Sequence, residues 1–159
     1  MAALELDVNV RTEHDYSPDL SWLGEYHSNR RPGCIDREAR GDAGRHEYQF
    51  WSPGMSLEDH RAGLRRMGYS KHSAYTLARG YVLRDYKRIE SYGTDWWMEG
   101  VIVSVSLDEH ALGEASLWGI ESDAGDEYRA EIVAELTAEA VEEARRALVG
   151  MLEAVAALP

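Results

Sequence analysis

The alternation of apolar and polar residues predicts a strand at the start of the chain. Over residues 4–10 every second residue is leucine or valine, and this two-residue period is typical of a strand with one buried face. A second strand is predicted at the aromatic run EYQFW, residues 47–51, which Ser-Pro-Gly follows. Residues 27–46 are rich in Gly, Asp and Arg and have no period, so we expect a long loop there.

Apolar residues at spacings of three and four predict a pair of helices between residues 57 and 92. Ser56 has an acidic residue three positions later, which favours a helix N-terminus, and Gly68 follows the last apolar residue of the first helix. Ser70 favours the start of the second helix, and Gly93 favours its end. Residues 61–88 contain eight basic residues and one acidic residue, so the pair is strongly basic.

The remaining sequence predicts a hairpin and a long helix. The runs WWMEGVIVSVSL (residues 96–107) and EASLWGIE (residues 114–121) are rich in β-branched and aromatic residues, and DEHALG connects them. Ser122 or Asp123 is the predicted N-cap of the helix, and Thr137 offers a fresh start after a short break. Together the elements predict an α+β fold, with an antiparallel sheet, an inserted helical pair and a C-terminal acidic helix.

The net charge of −12 is concentrated in the C-terminal part of the chain. Residues 1–93 contain 14 acidic and 14 basic residues, whereas residues 94–159 contain 15 acidic and three basic residues. The polar side of the predicted C-terminal helix carries five glutamates: Glu131, Glu135, Glu139, Glu142 and Glu143. Such a stripe is typical of a solvated helix face, and it is also the surface that a basic partner would bind.

Length and composition are those of one globular domain. The 159 residues are 44% apolar, which is enough for one core, so we expect a single domain over residues 1–159. No apolar run approaches the roughly 20 residues that span a bilayer, and the N-terminal residues do not resemble a signal peptide. Cys34 is the only cysteine, which fits a reducing compartment. We therefore expect a cytoplasmic protein without a membrane partner.

The sequence contains none of the common catalytic motifs. It has no GxSxG, P-loop, GxGxxG or HExxH pattern, and its six histidines are never spaced for shared metal binding. The sequence therefore favours a non-enzymatic role, with no cofactor and no catalytic residues, although it does not decide the point. A metal site stays open, because Glu121, Asp123 and Asp126 offer the oxygen ligands that a hard cation prefers.

Tryptophans on the predicted hairpin define a candidate ligand pocket. Trp96, Trp97 and Trp118 lie on its two strands, and Glu121 and Asp123 follow the second strand. Aromatic side chains of this kind line pockets, but they more often pack in a core. We expect Trp118 to be a core residue.

Three segments carry a resemblance to a known group of proteins. DYSPDLSWLGEY, ARGYVLRDYKRIESYGTDWWMEGVIVSVS and ASLWGIESDAGDEY resemble small acidic proteins of bacteriophages, plasmids and other mobile elements that share an LWGIESD-like motif. The likeness covers about half of the chain, mainly residues 4–26 and 75–135. It implies a mobile-element origin and an α+β domain, and it supplies neither an activity nor any site residues.

The acidic helix and this resemblance favour an inhibitor or modulator that binds a basic surface of a host nucleic-acid-handling or defence complex. A row of carboxylates resembles a phosphate backbone and would release counterions on binding in the same way. One alternative is a helix-turn-helix-like regulator that binds nucleic acid through residues 57–92, although the net negative charge opposes direct binding. The other is a small-ligand-binding or enzymatic domain with the tryptophan-lined pocket.

Overall fold

The computed structural model describes residues 5–37 and 48–158. In chain order its elements are β1 (Asp7–His14), β2 (Gly24–His27), β3 (Ile35–Asp36), β4 (Phe50–Pro53), α1 (Leu57–Arg66), α2 (Lys71–Glu90), β5 (Met98–Leu107), β6 (His110–Glu121) and α3 (Asp126–Ala156). Antiparallel sheets and helices are both present, so the predicted α+β class is confirmed.

The chain divides into two compact units. Residues 1–18 and 96–159 form the sheet unit, and residues 19–95 form the inserted unit, which interrupts the sequence of the first. The single domain expected over residues 1–159 stays a prediction. No helix of the described residues has an apolar stretch long enough to cross a bilayer.

The sheet unit is an antiparallel sheet in the order β1-β5-β6, with α3 packed on β5 and β6. Val103 pairs with Val10 on one side and Ala115 on the other, and paired residues project to the same face. The face towards α3 is apolar, and its core contains Val101, Val103, Val105, Leu112, Ala115, Ile120, Ile132, Leu136, Ala140 and Ala144. Glycine is needed at Gly113, where a Cβ atom would lie only 2.3 Å from the carbonyl oxygen of Ala140.

The N-terminal strand is present, but the prediction of one buried face is wrong. β1 spans Asp7–His14 and is exposed along its whole length. Val8 and Val10 lie on the face of the core, yet they are 46% and 45% exposed, because α3 packs on β5 and β6 and leaves this edge strand uncovered. Leu4, where the predicted strand begins, lies outside the described residues.

The hairpin is confirmed with a shorter connection than predicted. β5 and β6 are joined at Asp108 and Glu109, and Asp108 adopts a φ of 52°, a left-handed conformation that aspartate tolerates better than most residues. Most of DEHALG therefore belongs to β6. The register of the two strands shifts twice, between Glu99 and Val101 and between Val105 and Ser106.

The C-terminal helix is confirmed, but its predicted N-cap is wrong. The N-cap is Gly125, which makes no side-chain capping bond. The hydroxyl oxygen of Ser122 instead accepts a hydrogen bond from the backbone N–H of Trp97 at 2.9 Å. The alternative break at Thr137 is also absent from α3, since the Thr137 hydroxyl donates to the Val133 carbonyl within one continuous helix.

The inserted unit combines the sheet β2-β4-β3 with the helical pair α1 and α2. Both predicted caps are confirmed, because the side-chain oxygens of Ser56 and Ser70 accept hydrogen bonds from the backbone N–H groups of Asp59 and Ser73. Leu64, Ala74 and Ala78 are the buried contact between the helices.

The strands of the inserted unit were predicted less well than its helices. β4 (Phe50–Pro53) overlaps the predicted strand of residues 47–51 only at Phe50 and Trp51 and continues into the Ser52 and Pro53 that were predicted to end it, whereas β2 was not predicted. β3 lies inside the predicted loop of residues 27–46, and residues 38–46 of that loop lie outside the described residues. Two- and four-residue strands carry too few positions for a period to be recognised.

Candidate functional site

Four glutamates form the outward side of α3. Glu131, Glu135, Glu139 and Glu142 are all exposed, while Ile132, Leu136, Ala140 and Ala144 of the same helix are buried against the sheet. The two sets alternate at the three- and four-residue spacings of an amphipathic helix. We call these four glutamates the acidic face.

The fifth predicted glutamate has a different environment. Glu143 is exposed, but its Oε2 accepts a hydrogen bond from the backbone N–H of Glu114 on β6 at 2.9 Å. This contact ties α3 to the sheet, so Glu143 has a structural role at the margin of the acidic face.

Most of the charge of the acidic face is uncompensated. Glu142 forms an exposed ion pair with Arg145, which has little energetic weight because both groups are solvated. Among the described residues, Glu131, Glu135 and Glu139 have no ion-pair partner. A positive partner surface could therefore approach these three carboxylates without first displacing an arginine.

The acidic face has a lower charge density than nucleic acid. Glu131 and Glu142 lie about 16 Å apart along the helix axis, which gives about one carboxylate per 5 Å, against one phosphate per about 3.4 Å of a DNA strand. The face can thus attract a basic surface, but it does not reproduce the spacing of a phosphate backbone.

The division into units separates charge as well as fold. The sheet unit contains 18 acidic and four basic residues, a net charge of −14, whereas the inserted unit contains 11 acidic and 13 basic residues, a net charge of +2. The acidic face therefore belongs to a unit that is negative as a whole, and the field of that unit adds to its own.

A buried ion pair fixes the start of α3. Arg129 Nη2 donates to Glu99 Oε1 of β5 and also to the backbone carbonyls of Glu121 and Ser122. The side chain of Glu99 is only 8% exposed, so the carboxylate has lost most of its hydration and the Arg129 guanidinium offsets that loss. Because Arg129 sits in the first turn of α3, the pair sets where the helix, and with it the acidic face, lies on the sheet.

The tryptophans of the candidate pocket have different environments. Trp96 is fully buried, whereas Trp97 and Trp118 are 39% and 46% exposed. The expectation that Trp118 is a core residue is therefore wrong. Its ring lies over Gly100, where a Cβ atom would be 2.5 Å from the ring, on the sheet face opposite α3.

Trp118 borders a cleft that the sequence did not predict. The cleft has a volume of about 490 Å³, and its other lining residues are Glu13, His14, Asp15, Tyr16 and Ser17. Trp97 is close to the same segment, since its ring centroid is 6.4 Å from that of His14. Glu121 ends β6, and Asp123 lies in the turn before α3.

The structure gives no support to the cation site at Glu121, Asp123 and Asp126. Within residues 5–37 and 48–158, no group of three or more histidine, cysteine, aspartate or glutamate side chains is placed to hold a metal ion. Asp126 lies in the first turn of α3, where a carboxylate favours the positive end of the helix dipole.

The helical pair has several features of a helix-turn-helix. The turn between α1 and α2 spans residues 67–70, Gly68 has a φ of +94°, and Arg65 Nη1 donates to the carbonyl oxygen of Tyr69 at 2.7 Å. Four polar or aromatic residues at the start of α2 and along it are exposed and could contact nucleic acid: Lys71, His72, Tyr75 and Arg79.

Sequence reasoning missed a polar cluster in the inserted unit. The Tyr26 hydroxyl donates to Glu90 Oε1 at 2.8 Å, and Arg37 Nε lies 2.8 Å from the same oxygen. Burial, followed by the neighbouring Glu90 carboxylate, raises the pKa of Tyr26. The three residues come from β2, the end of α2 and the residue after β3, so no local pattern in the sequence could have identified them.

Comparisons of the chain with protein-family models, with curated proteins and with solved structures gave no match.

Proposed function

We propose that the chain is an accessory protein of a phage or other mobile element and that its sheet unit binds a basic surface of a host nucleic-acid-handling or defence complex. Binding would inhibit or modulate that complex without catalysis. The observation that carries the proposal is the acidic face, whose four exposed carboxylates lie on one side of a helix in a unit of net charge −14.

The physical basis of the proposal is long-range attraction followed by counterion release. Exposed carboxylates on a rigid helix steer a positive surface towards it, and binding is weakened by salt. Because the carboxylate spacing is wider than that of phosphates in DNA, the proposed contact is an electrostatic match with a basic groove.

The test replaces the four glutamates of the acidic face by glutamine. Glutamine has nearly the helix propensity of glutamate, so the thermal stability should change little. Protein recovered from a host lysate by the full chain should fall at least about tenfold at low salt, since four docking charges are lost. Quantitative mass spectrometry of the eluates measures this.

A matched control separates position from total charge. Glu5, Asp7, Asp108 and Glu109 are exposed residues of the sheet unit that lie outside α3, and their conversion to amides removes the same number of charges. The control should retain most of the binding. Equal recovery of protein by the acidic-face variant and the wild type would reject the proposal. Equal losses in the acidic-face variant and the control would show that binding depends on total negative charge and not on the acidic face.

A second candidate function is nucleic-acid binding by α1 and α2. It is favoured by the exposed Lys71, His72, Tyr75 and Arg79 after a four-residue turn. Against it, the inserted unit has a net charge of only +2, and the whole chain is strongly negative. A DNA shift by the wild-type chain at physiological salt, lost in Lys71→Gln, would favour this function over the first.

A further inference from the structure

The inserted unit contains an open groove that has no part in the proposal for the acidic face. The groove has a volume of about 700 Å³ and runs between the sheet side and the helix side of this unit, within the size range of small-molecule sites. Its lining residues are Pro32, Gly33, Ile35, Ser52, Pro53, Ser56, Leu57, Glu58, Tyr75, Arg79, Val82 and Leu83.

The walls of the groove are mainly apolar. Pro32, Ile35 and Pro53 come from the strand side, and Leu57 and Val82 come from the helices. Such walls favour the apolar part of a ligand, because its transfer out of water is the main source of binding free energy.

Arg79 supplies the uncompensated charge of the groove. The other charged lining residue is Glu58, whose Oε1 forms an ion pair with Arg61 Nη2 at 2.8 Å. Arg79 has no ion-pair partner among residues 5–37 and 48–158. The groove therefore places a guanidinium without an ion-pair partner among the described residues beside an apolar surface.

Tyr75 and Arg79 lie one turn apart on α2, and Val82 and Leu83 continue the same side of the helix. These positions place a phenol and a guanidinium next to the apolar wall. The guanidinium can donate two parallel hydrogen bonds to a carboxylate or a phosphate, and the phenol can donate a third.

We infer that this groove binds a small amphipathic organic anion, with its apolar chain against Leu57 and Val82 and its carboxylate or phosphate on Arg79. The inference assigns Tyr75 and Arg79 to a small-molecule site instead of a DNA-reading helix surface. It is independent of the acidic face, because all of its residues belong to the inserted unit.

The test titrates the full chain with hexanoate, 1-hexanol and acetate at constant ionic strength, with methyl NMR signals of Ile35, Leu57 and Val82 as reporters. Hexanoate should shift these signals at lower concentration than either reference compound, since 1-hexanol lacks the charge and acetate lacks the chain. Hexyl phosphate in a parallel titration distinguishes a phosphate ligand from a carboxylate ligand by its relative affinity.

The variant Arg79→Gln isolates the charge. Its affinity for hexanoate should fall at least about tenfold, since a charge-assisted bidentate contact is lost, while its affinity for 1-hexanol should not change. Arg84→Gln is the matched control, because Arg84 is an exposed arginine of the same helix that does not line the groove.

Three results would overturn the inference: no shift of the groove methyl signals by hexanoate, equal hexanoate affinity in Arg79→Gln and wild type, or equal losses in Arg79→Gln and Arg84→Gln. If instead these substitutions leave hexanoate unaffected and Arg79→Gln abolishes a DNA shift, α2 belongs to a nucleic-acid surface.

Discussion

The sheet unit and the inserted unit differ in how they build a core and in how they carry charge. In the sheet unit a 31-residue helix packs on two long strands, β5 and β6, with β-branched residues, leucines and alanines in the contact. In the inserted unit two helices meet through Leu64, Ala74 and Ala78, beside strands of two to four residues. The net charges are −14 and +2. The net charge of the whole chain therefore describes neither unit.

In both units an ion pair between distant residues positions a helix. Each has an ion pair with limited solvent access between residues that are far apart in sequence: Glu99 with Arg129 in the sheet unit and Arg37 with Glu90 in the inserted unit. Such pairs contribute little net stability but are costly to break on one side only. They hold α3 on its sheet and the end of α2 near β3, and so specify arrangement more than they add stability.

The largest expected effect compares a tryptophan from each unit. Trp51 of the inserted unit is fully buried, and its ring lies against Gly24, where a Cβ atom would be 2.6 Å from Nε1. Trp51→Ala should lower the free energy of unfolding by about 3 to 5 kcal/mol. Trp118→Ala should cost only about 1 to 2 kcal/mol, because nearly half of Trp118 is already in water.

Urea unfolding followed by circular dichroism measures these losses, and hydrogen exchange resolved by peptide assigns them to a unit. Faster exchange should be confined to the inserted unit for Trp51→Ala and to the sheet unit for Trp118→Ala. Equal losses, or exchange that rises throughout the chain in both variants, would contradict the division drawn between the units.

The second effect concerns the ion pair of the sheet unit. Arg129→Ala leaves the Glu99 carboxylate buried without a partner, and we expect a loss of about 3 kcal/mol, the lower end for such pairs, because Arg129 is partly exposed. Arg145→Ala, an exposed arginine of the same helix, should cost no more than about 0.5 kcal/mol. Chemical unfolding measures both values, and similar losses would show that Glu99 does not need its partner.

The smallest effect is a gain of stability in the inserted unit. Gly80 lies in the interior of α2, and nothing beyond its chain neighbours and the adjacent helix backbone is within 4 Å of a Cβ atom built there, so close packing against other elements does not explain this glycine. Gly80→Ala should therefore stabilise the protein by about 0.5 to 1 kcal/mol. Gly68→Ala is the contrast, since Gly68 has a φ of +94°, and it should destabilise by about 1 kcal/mol. A loss of stability in Gly80→Ala would contradict the open space found around Gly80.

Local signals in the sequence were sufficient for the longer elements. Ser56 and Ser70 marked two helix starts because each oxygen bonds a backbone N–H three residues later, which is a purely local contact. The hairpin of β5 and β6 followed from its dense β-branched residues. The same reasoning failed before α3, where Ser122 and Asp123 both resembled an N-cap but Gly125 holds that position.

The candidate sites, like the secondary structure, were predicted from the sequence only where they depend on neighbouring residues. The glutamates of the acidic face were predicted because helix periodicity alone places Glu131, Glu135 and Glu139 on one side. The exposure of Trp118 and the groove beside Arg79 could not be predicted, since each depends on a neighbour from another element: Gly100 of β5 for the first and the strand residues Ile35 and Pro53 for the second.

The sequence by itself determined the α+β class, the two capped helices, the hairpin and the concentration of negative charge towards the C-terminus, because periodicity, capping and charge are properties of neighbouring residues. Only the tertiary structure decided that β1 lies uncovered at the sheet edge, that Arg129 neutralises Glu99, and that Arg79 stands beside an apolar wall. These outcomes depend on which segments distant in sequence pack together and on how much solvent reaches them. The pattern of residues along the sequence specifies neither.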